Sequence, residues 1–108
     1  MSALNHLTKF SNETFEHWMA KATLFYLLRK RNHRVFSEFR VTNGYVDIVD
    51  QTTMTFYEIE RSASRKVREK KYELYRTTGY EIIVVDCSKM PKTLLEIRDY
   101  IKSFVVPL

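Results

Sequence analysis

A chain of 108 residues with an apolar fraction of 44%, two glycines and two prolines has room for one domain, residues 1–108, with one core. It has no flexible linker, low-complexity tail or apolar run of the roughly 18 residues that a membrane span needs. The net charge of +5 excludes little by itself but favours a polyanionic partner, because basic residues crowd into Arg29–Arg34 and Arg61–Lys71.

Met1 to Phe10 lacks the basic-then-apolar layout of a signal peptide, and the lone Cys87 cannot form an internal disulfide. A cytoplasmic location is therefore expected, with no membrane partner. Ser11 or Asn12 can cap a first helix, with Glu13 in its first turn. Phe15, Trp18, Met19, Ala22 and Phe25 or Tyr26 then recur at helical spacing, and Trp18, Phe25 and Tyr26 are assigned to the core. The helix should end near Arg29–Asn32. His6, His17 and His33 lack metal-like spacing and read as surface or core-edge residues.

Val35–Val41 alternates as a strand, with Val35, Ser37, Phe39 and Val41 on one face. Asn43-Gly44 is a hairpin signal, and Tyr45–Asp50 is the return strand. Gln51–Met54 is a polar turn before a third strand, Thr55–Glu60. Ser62 or Ser64 caps a second helix, Arg65 to about Thr77, whose narrow apolar stripe is Val67, Leu74 and Tyr75, with Lys71 bridging. Gly79 closes it. The apolar run Ile82–Val85 inside Glu81–Asp86 reads as a strand covered on both faces, parallel to the third. Pro91 suits the first turn of a final helix carrying Leu94, Ile97 and Ile101. The order is α-β-β-β-α-β-α: an α/β fold in which an antiparallel meander and a parallel fourth strand form a mixed sheet, with helices on its faces.

Strand alternation places Glu58 and Glu60 on one face, with Tyr57, Ile59, Val46 and Ile48 on the other. If the turn sets the register suitably, Asp47 lies across from Glu58, and the two could bind one hard cation such as Mg²⁺ with the Ile59 backbone carbonyl and waters. Acids on a strand are usually solvated. Acids half-covered by a helix, however, repel one another unless a cation or a partner compensates.

The segments "ETFEHWMAK", "NGYVDIVD", "TFYEIERS", "SRKVREKKYELYRTTGY" and "EIIVVD" resemble, in that order, the core of the PD-(D/E)xK nuclease superfamily, over Glu13 to about Asp86. That superfamily includes restriction endonucleases, archaeal Holliday junction resolvases and many repair nucleases. The resemblance implies a restriction-endonuclease-like fold and an Mg²⁺- or Mn²⁺-dependent endonuclease acting on DNA. It makes Asp47 and Glu58 the metal ligands and Glu16 the first-helix glutamate that some resolvase-like members add. The residue two after the second acid, usually lysine, is here Glu60, which could bind metal or accept the attacking water's proton. Lys66 or Lys70 could then supply the missing positive charge. Arg61, Arg65, Lys66 and Lys70 are candidate phosphate contacts, or else one solvated helical face. Tyr72, Tyr75 and Tyr80 could stack on bases but fit core packing better. A domain this small has little surface to envelop a duplex, so a homodimer is expected, as in resolvase-like relatives. The alternative is a catalytically inactive protein of the same fold that binds nucleic acid or regulates a partner.

Overall fold

The computed structural model describes residues 13–41, 44–61 and 63–106. Helix α1 (Phe15–Lys30) leads into strands β1 (Val35–Val41), β2 (Gly44–Asp50) and β3 (Thr55–Glu60). Helix α2 (Arg65–Tyr75), strand β4 (Glu81–Asp86) and helix α3 (Leu94–Lys102) follow. The sheet order is β1-β2-β3-β4, antiparallel except for the β3–β4 pair. This is the expected α/β order, and α2 supplies the crossover that parallel neighbours require. No helix among the described residues is long and apolar enough to cross a membrane.

The sheet is covered on both faces. One core joins Ala20, Leu24 and Leu28 of α1 to Ile48, Tyr57, Ile59 and Val85 of the sheet and to Ile97 and Ile101 of α3. On the other face Val46, Val49 and Phe56 pack around Tyr75 of α2. The Phe56 ring meets Tyr75 edge-on, at 5.5 Å, and stacks on Tyr80, at 4.5 Å.

Helix ends follow local chemistry. Thr14 caps α1, its Oγ1 accepting the His17 N–H at 3.2 Å, so Glu13 precedes the helix rather than standing in its first turn. Ser11 and Asn12 lie outside the described residues, as do Asn43 of the expected turn and Ser62. Ser64 caps α2. Its end tightens into a 3₁₀ turn, Arg76–Thr78, closed by Gly79 at φ 82°, where a side chain would be strained. Helix α3 starts three residues after Pro91, with Thr93 as the cap.

Four expectations about burial need correction: Trp18, for one, is half-buried and belongs to neither core. Tyr26 is 57% exposed, because Ala20, Leu24 and Leu28 define the inward side of α1 and Tyr26 falls opposite them; Lys30 Nζ lies 5.9 Å over its ring. In β1 the alternation breaks at Glu38, which sits at φ 50°. Phe36 and Phe39 consequently share one core, 5.3 Å apart, while Val35 belongs to the other. Val46 likewise packs with Val49 instead of beside Ile48. The paired residues Ser37↔Ile48 and Phe39↔Val46 flank the break, so both strands bend where Glu38 faces Asp47.

Candidate metal centre

The ladder between β2 and β3 runs through Asp50↔Thr55, Val49↔Phe56 and Ile48↔Tyr57. The next step would pair Asp47 with Glu58, and there side chains replace backbone partners. Asp47 Oδ2 accepts the Ile59 N–H at 2.8 Å, and Glu58 Oε1 accepts the Asp47 N–H at 3.3 Å. The strands open at this point, and both carboxylates are held in the gap. Glu60, one pleat beyond Glu58, completes the cluster: one oxygen from each of Asp47, Glu58 and Glu60 lies within 4.8 Å of the others.

The donor set fits a hard divalent cation. Two oxygens that each sit about 2.1 Å from one ion are at most about 4.2 Å apart, so a small closure would let two or three of these side chains share an ion. Ile59 supports this. Its N–H points at Asp47, and because the N–H and C=O of a strand residue address the same edge, its carbonyl turns toward the same gap.

The cluster carries its own counter-charge. Lys71 Nζ, from α2, lies 2.9 Å from Glu58 Oε2 and 3.4 Å from Glu60 Oε2. Burial, reinforced by the negative charge of Asp47 and opposed by Lys71, pushes the Glu58 carboxyl up to about 7. Burial lowers the Lys71 ammonium, but Glu58 and Glu60 outweigh that and hold it above the ordinary lysine range.

A second set of charges reaches the site from α1. His17 Nε2 is 3.5 Å from Asp47 Oδ2, and its Nδ1 is hydrogen-bonded to Glu13. The hydrogen bond with Asp47, opposed by partial burial and assisted by Glu13, raises His17 to about 9, so the imidazolium is the neutral-pH form. Behind it Lys21, fully buried, bridges Glu13 at 2.9 Å and Glu38 at 2.7 Å. Burial raises the Glu38 carboxyl despite Lys21. The left-handed backbone at Glu38 is thereby fixed by a buried ion pair.

Asp47, Glu58 and Glu60 come together as the sequence suggests. Glu16 does not join them. It is exposed and lines a hollow of about 290 Å³ with Thr14, Arg61, Cys87 and Ser88, while the α1 side chain beside Asp47 is that of His17. The positive charge among the acids comes from Lys71 rather than from Lys66 or Lys70, both exposed. A lysine on the inward stripe of a helix was the sequence signal for it. Arg61 and Arg65 are also exposed, with Arg65 paired to Glu69 at 2.9 Å. Tyr75 is buried and Tyr80 packs on Phe56, which leaves Tyr72, 59% exposed, as the helix tyrosine open to a partner. Cys87 is buried and its thiol is raised by that burial.

No family model matches the chain, and neither a curated protein nor a solved structure is significantly similar to it.

Proposed function

We propose that this protein is an Mg²⁺- or Mn²⁺-dependent nuclease of the PD-(D/E)xK type that hydrolyses phosphodiester bonds in DNA, working as a pair of chains. The observation that carries this reading is the convergence of Asp47, Glu58 and Glu60 where the β2–β3 ladder opens, with Lys71 entering from α2. Asp47, Glu58 and the Ile59 carbonyl would hold the ion. A divalent ion so held supplies charge to the phosphate and lowers the pKa of an attacking water. Glu60, less buried than Glu58, accepts that water's proton. Lys71 does the work of the superfamily's strand lysine from a different element, countering the charge that grows on the phosphate. His17 holds Asp47 in place. Arg61, Arg65, Lys66 and Lys70 contact neighbouring phosphates and set the register of the nucleic acid.

One observation favours a second reading, a nucleic-acid-binding protein of the same fold without chemistry. Lys71 and His17 already pair with the acids, so the cluster is partly neutralised without metal. The test offers the protein duplex, junction, flap and single-stranded substrates with Mg²⁺ or Mn²⁺, with and without a chelator. Cleavage that needs the ion and disappears in Asp47→Ala is expected. Binding without metal-dependent cleavage of any substrate selects the second reading.

A further inference from the structure

The apolar stripe of α3 runs through Leu94, Ile97 and Ile101, spaced at helical turns. Ile97 and Ile101 are buried, whereas Leu94 is 75% exposed, so the stripe continues past the edge of the core. Helix α1 begins in the same way: Phe15 is 67% exposed, one turn before Met19, which packs on the core. Beside these two helix starts lies a hollow of about 350 Å³, lined by Phe15, Met19, Met90, Pro91 and Ile97, with Glu16 and Lys92 also on its wall. Leu94 follows Lys92 by two residues and precedes Ile97 by one turn.

We propose that this face is where a second copy of the chain docks. A two-fold pair uses the same patch twice, so the patch must complement itself in shape and in charge. This one does both. It carries projecting apolar side chains, Phe15 and Leu94, next to an apolar hollow that can receive their counterparts. It also carries one acid and one base, so that Glu16 can face the partner's Lys92 while Lys92 faces the partner's Glu16. An exposed apolar surface of this kind marks a protein contact. It is unsuited to nucleic acid, whose phosphates need cations. The proposal rests on the pairing in the functional reading above and not on cleavage; oligomeric state, measured without metal or nucleic acid, separates the two.

The test measures mass in solution by light scattering and sedimentation across a concentration series. The wild-type chain is expected to be a dimer that dissociates on dilution. Leu94→Glu, at an exposed position, should raise the dissociation constant by at least about a hundredfold, as loss of a central apolar anchor does, and leave the circular dichroism unchanged. Glu16→Lys and Lys92→Glu should each weaken the dimer, and the two together should restore it. A dimer indifferent to Leu94→Glu, or single charge reversals that the double change fails to rescue, would overturn the proposal. So would a monomer at every concentration.

Discussion

Lys71 Nζ stands 2.9 Å from Glu58 Oε2, so a cation carried by α2 is paired with an acid carried by β3, 13 residues earlier in the chain. Under the proposed function, this helix lysine takes the part of a strand lysine two residues after Glu58. Lys71→Ala should lower the metal-dependent cleavage rate by on the order of 10²- to 10³-fold, the usual cost of losing one preorganised charge. Lys71→Arg, which keeps a cation on the helix beside Glu58 and Glu60, should retain more of the rate than Lys71→Ala. A Lys71→Ala variant as fast as the wild type, with the fold intact by circular dichroism, would show that Lys71 does not play the strand lysine's part.

Metal affinity should depend on pH through Glu58. Its carboxyl is raised to about 7 in the metal-free protein, so below that pH a proton occupies a position the ion needs. One displaced proton makes the Mn²⁺ association constant climb about tenfold per pH unit up to about pH 7 and flatten above it. Calorimetric titrations at pH 5.5, 6.5 and 8 measure this. A constant affinity over that range would remove Glu58 from the ligand set.

His17 is held protonated mainly by its hydrogen bond with Asp47. In Asp47→Asn the imidazole should therefore titrate well below its wild-type value of about 9, a change that NMR of the ring protons follows directly. An unshifted titration would mean that Glu13 alone sustains the charge.

Lys21 is fully buried between Glu13 and Glu38, so removing it strands a buried carboxylate. Lys21→Ala should destabilise the fold by about 3–5 kcal/mol in chemical denaturation. Lys21→Met combined with Glu38→Gln should restore much of that loss, since no uncompensated charge remains at Glu38. Equal instability in the single and double variants would contradict this.

Lys66 and Lys70 are exposed on the helix that carries Lys71. If they lie on the phosphate backbone, their joint replacement by alanine should reduce the slope of log affinity against log salt by about one unit per lost contact. An unchanged slope would take this face of α2 out of the interface.

The strands and their order were legible because apolar runs, turn residues and Gly79 act locally, and β3 and β4 have the bounds that alternation and burial suggest. Asp47, Glu58 and Glu60 were legible for the same reason: the hairpin register follows from the polar turn between β2 and β3. The bend at Glu38 was not. Nothing in the run Val35–Val41 announces a left-handed residue, and that conformation is sustained by Lys21, 17 residues away in sequence. The resemblance points to Glu16, whereas the glutamate that reaches the site, through His17, is Glu13. Which glutamate approaches depends on where the helix is capped: Thr14 caps it, so Glu13 precedes the helix and Glu16 falls in its first turn, on the side of Arg61 and Cys87. Lys71 was seen only as filling an apolar stripe. The same inward position that made it look structural is what brings it to the acids.

Within α2, Tyr75 at its last turn is the one residue buried, while Val67, Lys71 and Leu74 are only half covered. The helix is therefore pinned at its C-terminal end and loosely laid along the sheet for the rest. Opening it would expose little apolar surface, so its free energy of opening falls at the low end of the range within a domain. Amide protons of α2 should exchange with solvent well before those of β3. Each such opening would carry Lys71, Lys66 and Lys70 away together and leave the carboxylates behind on the strands. On that expectation the acids and their lysine come together only for the fraction of time that the helix is closed.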